Sequence, residues 1–409
     1  MTEFFTLLPP AEALKCLLDE LPGPLPSKSV PTSGALGRVL ATRIHAPSDL
    51  PAFARSTMDG YAVRAQDTFG ATPNLPTYLK VAGEVTMGSA PDISLNTAEA
   101  TLIHTGGMLP ENADAIVMVE NTQLSRLNEI EVLRAAAVGE NVLQVGEDVA
   151  YGDEVLASGA RLRPQDLGAL MALGITKVDV AQIPSVALIA TGDEVIPPDA
   201  SIIPGQVRDI NSYALSGIVE NAGGRPQRYG IIPDDINILK DIAAKALRKC
   251  DVLVITAGSS ASIRDITKQV LDSLGHPGVL LHGVAVKPGK PTIIAVANGK
   301  PAIGLPGNPV SAMVIARLLL IPLVHHLLGY RTPEAPTVTA QLTRNIASSA
   351  GREDFIPVRI LRESGGTLAD PVFGKSNLIF TLVQSHGSVI VPLNSNGLSR
   401  GETVEVHLH

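Results

Sequence analysis

The chain has no tryptophan, only 3% aromatic residues, and two cysteines in 409 residues. With so few rings its cores must be built from Leu, Ile, Val and Ala, which the 45% hydrophobic content can supply. Cys16 and Cys250 stand alone, in contexts that read as a helix face and the start of a strand, which excludes a disulfide framework and a cysteine metal site. Cationic excess is also missing. Lys and Arg number 32 against 40 Asp and Glu, a net charge of −8, and phosphate-backbone affinity for nucleic acid needs the opposite balance. An anionic small-molecule substrate would then require a local basic pocket. No long apolar run is free of interruption: the most apolar stretch, 309–328, contains Arg317, Pro322, His325 and His326, and is expected to be a buried helix and not a membrane span. Residues 1–21 carry Glu3, no basic leader and Pro9-Pro10 in place of an apolar core, so they do not read as a signal peptide. The expected location is the cytoplasm, without a membrane or nucleic-acid partner.

What is abundant is punctuation. Gly (37) and Pro (31) fall mostly between apolar runs, so many short elements joined by tight turns are expected, and the length calls for more than one core. Residues 11–21 have a helical pattern, and a second short helix is expected around 35–40. Short β runs follow at 78–81, 100–104, 115–119 and 130–133. Pro164 opens a helix through Leu173 that Gly174 ends, and it is expected to return to the N-terminal region. From residue 184 the rhythm is strand then helix: 186–190 and 212–222, 252–256 and 265–274, 302–305 and 310–328. Continuous apolar strands that each feed a helix indicate a parallel sheet covered on both faces. Asn298-Gly299 between 292–296 and 302–305 signals a tight hairpin, so one edge should be antiparallel. Alternation resumes at 337–339, 355–360 and 404–406, the pattern of a small β-barrel. The expected fold class is multidomain α/β plus β: residues 1–50 with 148–183 as a connecting and dimerisation region, 51–147 as an inserted β domain, 184–331 as the α/β domain and 332–409 as a C-terminal β-barrel.

Ligands of open α/β sheets bind beyond the carboxyl ends of the strands, and the three loops there are unusual. Thr191-Gly192-Asp193-Glu194 offers backbone approach and two acids able to hold Mg²⁺. Gly258-Ser259-Ser260 is small, hydroxyl-bearing and opens a helix, a setting in which free N–H groups cradle phosphate. Pro306-Gly307-Asn308-Pro309 with Ser311 is a stiff loop before the longest apolar helix. Just upstream, Lys287-Pro288-Gly289-Lys290-Pro291 sets two cations about a turn, the local positive charge that the chain otherwise lacks. Asp59 in Met58-Asp59-Gly60-Tyr61 and Asp148 in Gly146-Glu147-Asp148 place further carboxylates in turns. Any one of these segments also suits a solvated turn.

As a set, TGDE, GLPGNPVSA, KPGKP, GED and MDGYAV resemble the molybdopterin molybdenumtransferase family, the MoeA proteins and gephyrin E domains, over essentially the whole chain. The resemblance implies a molybdopterin-binding α/β domain within a four-part homodimer whose cleft lies where protomers meet. It also implies a Mg²⁺-dependent transferase that takes adenylylated molybdopterin and molybdate and releases AMP. Carried across by motif, the functional acids fall on Asp59, Asp148, Glu194, Asp234 and Asp265. Glu194 and Asp265 are expected to hold Mg²⁺, and Lys287 and Lys290 to contact oxyanion. Thr191, Gly192, Gly258, Ser259, Ser260, Pro306, Gly307, Asn308, Pro309 and Ser311 are expected around phosphate and pterin. Two departures stand out: Ala257-Gly258-Ser259-Ser260-Ala261-Ser262-Ile263 lacks two glycines and an acid common at that position, and His282-Gly283 replaces a frequent lysine. They leave molybdate and tungstate both open as the oxyanion. A non-catalytic dimeric scaffold or molybdopterin carrier of the same fold, or the preceding adenylyltransferase, are the competing readings.

Overall fold

The computed structural model describes residues 7–257, 261–331 and 335–409, with 261–264 as backbone alone. The central sheet is built from β1 (Ser185–Thr191), β2 (Arg225–Ile232), β3 (Val252–Ala257), β4 (Pro277–His282), β5 (Ile293–Ala297) and β6 (Lys300–Pro306), in the order β2-β1-β3-β6-β5-β4. β1, β2, β3 and β6 run parallel, and β5 is antiparallel to both neighbours. The hairpin between β5 and β6 turns at Asn298 (φ 53°) and Gly299 (φ 78°), the pair of positive φ angles that the tight turn requires.

Alternation along the strands sorts side chains into two cores. Val186, Leu188, Val252 and Val254 face one, with Leu215 and Val219 of α1 (Asn211–Asn221). Ala187, Ile189, Leu253 and Ile255 face the other, with Leu239 and Ala243 of α2 (Ile236–Lys249) and Val270 of α3 (Ala261–Asp272). Because α1 and α2 cover opposite faces, the chain reverses direction across the sheet between β1 and β3, and a crevice opens there. Asp235 caps α2, its carboxylate accepting from the N–H groups of Asn237 (2.8 Å) and Ile238 (3.0 Å).

The apolar segment after β6 forms α4 (Pro309–Ile315), a π turn (Ala316–Leu320) and α5 (Ile321–Leu328). Pro322 has no N–H to donate to the preceding turn, and the wider π turn stands where that bond would be lost. The segment is long and apolar enough to cross a membrane by composition, but 61% of it is buried, and Ile315, Leu319, Leu323 and Leu327 belong to the α1-side core.

The C-terminal strands β7 (Thr337–Leu342), β8 (Glu353–Glu363), β9 (Gly366–Pro371), β10 (Gly387–Val391) and β11 (Thr403–Leu408) close on themselves in the order β8-β9-β7-β11-β10-β8, a five-stranded barrel around Val358, Ala369, Val391 and Val406. It is stitched to the α/β unit through Val286–Lys287, which pairs in parallel with Glu353–Asp354 of β8.

N-terminal to the sheet, Gly60–Val63, Thr77–Glu84, Glu99–Ile103, Ala115–Met118, Thr122–Arg126 and Glu129–Val132 make a six-stranded sheet of their own. The helix Pro164–Ala172 begins with a reciprocal cap in which Asp166 accepts from the Arg163 N–H (2.8 Å). Its Leu170 packs with Ala35, Leu40 and Val178, so this helix does return to the N-terminal segment. The helix expected around 35–40 is absent. Val39 and Leu40 instead form bridges to Arg161 and Val180, since the extended backbone lets both side chains enter buried positions. The reading of the α/β unit also missed β2 and α2.

Candidate active site

Three adjoining cavities lie along the boundary of the α/β unit and the barrel, and Asn308 lines all of them. The first, about 270 Å³, is walled by Lys287, Lys290, Pro306, Gly307, Asn308 and Ser311 from the α/β side and by Arg352 and Ser376 from the barrel side. The second, about 670 Å³, continues over Phe355, Pro357, Phe373 and Asn377. The third, about 350 Å³, occupies the crevice between β1 and β3, with Thr191, Glu194, Asn211, Thr256 and Pro309 in its wall.

The sequence explains how these groups are held. Thr191 ends β1 and its hydroxyl donates to Asp234 (2.7 Å), while Asp193 and Asp234 each accept from the other's backbone N–H (3.2 and 3.4 Å). The loops after β1 and β2 are thereby latched to one another. Gly192 lies at φ 148°, and a methyl there would come within 2.9 Å of the Glu194 carboxylate, so a larger residue would displace the acid from the crevice. Asn211, 8% exposed at the start of α1, donates to the Gly307 carbonyl (2.8 Å), which ties the stiff loop after β6 to the crevice wall. On the other side Asn308 donates to the Ser376 hydroxyl (2.9 Å), and the Val310 N–H donates to the Ser376 carbonyl (3.1 Å).

The cation cluster is arranged around a buried acid. Asp354, with no exposed side-chain surface, accepts from Lys287 Nζ (3.3 Å) and Arg352 Nε (2.9 Å). Among the described residues Lys290 makes no side-chain hydrogen bond, and it is exposed at the cavity mouth. Neighbouring Glu353 has its carboxyl pushed up by burial. Three cations in the wall of a small cavity form a site for a compact anion.

The structure therefore brings together Thr191, Gly192, Glu194, Asp234, Lys287, Lys290, Pro306, Gly307, Asn308, Pro309 and Ser311 beyond the carboxyl ends of the sheet's parallel strands. Gly258, Ser259 and Ser260 lie outside the described residues. Asp265 is exposed in the first turns of α3, which follows the strand next to β1, and it lines none of the three cavities. Asp59 and Asp148 are also exposed and line none of them. Asp59 accepts from the Thr105 N–H (2.8 Å) and hydroxyl (3.2 Å), with His104 at 3.8 Å, and these contacts, the N–H first, hold its carboxyl below the usual range. Asp148 is held through its backbone N–H to Leu50 (3.0 Å). Sequence reasoning missed Arg352, Asp354, Ser376 and Asn211. The first three come from the barrel, more than 60 residues from the lysines, where no local pattern announces them.

Comparison with known proteins agrees with this architecture. Residues 8–174 match the MoeA N-terminal region (domain I and II), 187–326 a probable molybdopterin binding domain, and 339–409 the MoeA C-terminal region (domain IV). Molybdopterin molybdenumtransferase 2 of Mycobacterium tuberculosis is 33% identical over 92% of this chain and 94% of its own length. The molybdopterin molybdenumtransferase of Bacillus subtilis is 32% identical over 91% and 88%. The crystal structure of a molybdopterin biosynthesis MoeA protein from Pyrococcus horikoshii superposes with a TM-score of 0.85 at 35% identity, covering 99% of this chain and 100% of that one. The chain belongs to the MoeA family of molybdopterin molybdenumtransferases.

Proposed function

We propose that this protein inserts molybdenum from molybdate into the dithiolene of adenylylated molybdopterin and releases AMP. The observation that carries the reading is the small cavity with Lys287, Lys290 and Arg352 in its wall, opening beside a crevice that holds Glu194. The two substrates are both anionic and repel one another in water. A cation cluster with hydroxyl and amide donors, Ser311, Ser376 and Asn308, lowers that cost and orients the oxyanion. Thr191, Gly192 and the Gly258-Ser259-Ser260 loop belong with the phosphate and pterin, at the strand ends where open α/β sheets take ligands.

Among the described residues no three His, Cys, Asp or Glu side chains converge as a metal cage. Mg²⁺ does not need one, since it binds through one or two carboxylates with water and substrate phosphate oxygens. Glu194 in the crevice is a fitting hard-oxygen ligand, and Asp265, after the neighbouring strand, is the second that we assign. Mg²⁺ there would neutralise charge on the phosphoanhydride. Asp234 orients the Thr191 hydroxyl. Asp59 and Asp148, outside the groove of their own protomer, act in a homodimer in which the partner's groove receives them.

Release of AMP from adenylylated molybdopterin tests the proposal directly. The purified protein with Mg²⁺ should release AMP in a manner dependent on molybdate or tungstate, and Glu194→Gln should abolish it. Absence of release from the folded protein under every condition would leave the carrier role as the better reading. Mixing Asp59→Asn with Lys287→Ala chains should restore part of the activity, and no restoration would count against the shared cleft.

A further inference from the structure

We propose that Asp354 is the positioning residue of the oxyanion cavity: a buried carboxylate that fixes where Lys287 and Arg352 present their remaining N–H groups and sets the charge of the cavity to suit a dianion. The inference rests on the reading of that cavity as an oxyanion site.

Asp354 lies beneath the cavity and does not line it. Its side chain is completely buried, whereas those of Lys287 and Arg352 are 53% and 35% exposed. A buried carboxylate is costly to desolvate and persists only when its oxygens are satisfied. Here one oxygen takes Lys287 Nζ and the other takes Arg352 Nε. The two cations enter from different parts of the chain, Lys287 from the short strand Val286–Lys287 and Arg352 from the residue before β8, and Asp354 is the atom group they share. The backbone repeats the connection, since Lys287 pairs with Asp354 in the parallel ladder that joins barrel to α/β unit.

Nε of Arg352 is spent on Asp354, and among the described residues its Nη groups make no hydrogen bond to protein. A planar guanidinium held at Nε has its Nη fork fixed in direction, which a free side chain of that length does not. Lys287 is likewise tethered by one of its three donors. Lys287, Lys290 and Arg352 against the Asp354 carboxylate leave a surplus of two positive charges, the complement of a tetrahedral dianion.

Charge and position make opposite predictions. Asp354→Asn raises the positive charge under the cavity. If the carboxylate mattered only as a charge, molybdate would bind more tightly. If it positions the donors, molybdate binds more weakly despite the added charge, because Lys287 and Arg352 lose their common anchor and repel one another. Calorimetric titration of the full-length protein with molybdate alone, and with tungstate alone, reads this. The expected result is binding about tenfold weaker in Asp354→Asn, the size of one lost charge-assisted hydrogen bond. In turnover, KM for molybdate should rise while KM for adenylylated molybdopterin stays within twofold. Unchanged or tighter oxyanion binding in a folded Asp354→Asn protein would overturn the role of Asp354 while leaving the cavity's assignment standing. A wild-type protein that binds neither oxyanion would overturn both.

Should Asp354→Asn fail to fold, Arg352→Lys, at a partly exposed position, asks the same question. A lysine ammonium held by Asp354 lacks the planar Nη fork, so its remaining N–H groups do not meet the anion as a fixed pair of donors, and oxyanion binding should again weaken about tenfold with the melting profile unchanged. Binding equal to wild type would show that the fork held by Asp354 is not what the anion uses.

Discussion

Asn211→Ala removes one amide from the wall of the crevice, and its effect can be worked from the structure. The side chain is 8% exposed and donates to the Gly307 carbonyl at 2.8 Å, across 96 residues of sequence. Replacement loses the bond and leaves a half-buried carbonyl short of a donor, a cost of about 1–3 kcal/mol. If that cost falls on the closed form of the loop, its opening equilibrium shifts by about 5- to 150-fold. The chain has several cores, so a single melting temperature would mix their contributions. Amide hydrogen exchange reads the first turn of α4, which the loop anchors. The reporters are Val310, whose N–H bonds the Ser376 carbonyl, and Ala312, whose N–H bonds Asn308 (3.0 Å). Both should exchange faster by at least fivefold, the lower bound of that range, while amides of β3 stay protected. KM for oxyanion should rise with them, since Asn308 lies in the loop and Ser311 in the first turn of α4, which the loop leads into. Exchange unchanged at both amides, with KM unchanged, would refute the idea that Asn211 holds the loop in register.

Three further outcomes are expected. Gly60→Ala would drive a methyl into the Val117 carbonyl on the neighbouring strand; far-UV and proteolytic profiles should show a loosened N-terminal sheet, with the Asp59 turn displaced and AMP release reduced, and a variant with native protection and activity would contradict the packing. Burial holds His325 and His326 below the ordinary imidazole value, and the nearby Arg161 adds to this at His325, so the unfolded chain binds more protons as the pH falls. Their contribution to stability is fully present above about pH 6.5 and is lost below it; urea midpoints at pH 7.5 and 5.5 should converge in a His325→Gln, His326→Gln chain, and an undiminished gap would exclude these residues. Asp235→Ala removes the cap of α2 and should cost about 0.5–2 kcal/mol, with the Thr191–Asp234 bond and KM values retained.

Where local chemistry decides an element, the sequence announces it. Asn298-Gly299 has one good answer for its backbone, and the hairpin stands there. The apolar runs of β1, β3 and β6 are buried on both faces and could be little else. β2 went unread because it is an edge strand: RPQRYGII exposes alternate residues and shows no continuous apolar run. The segment 35–40 has helical composition, but its extended pairing is decided by Arg161 and Val180, far along the chain. The site divides the same way. Lys287, Lys290 and the Gly307-Asn308-Pro309 loop are dense local motifs, while Asp354 looks like any strand residue until the barrel folds it beneath the lysine. Its importance is a property of the juxtaposition.

The helix Pro10–Asp19 puts Ala13 and Leu17, both fully buried, into the same core as Val254 and Leu323. Nearby, the Ala285 N–H donates to the Leu8 carbonyl, and the Leu25 N–H to that of Leu327. The piece of this core that leaves the ribosome first therefore waits for strands that emerge more than 160 residues later. Until then its apolar face has no permanent cover, and the cost of closing so long a loop falls on the last steps of folding. At about 5–20 residues per second, the wait is on the order of ten seconds or more. The α/β unit cannot be lifted out as 184–331 without tearing a wall from its core: it is contiguous in function and discontinuous in manufacture.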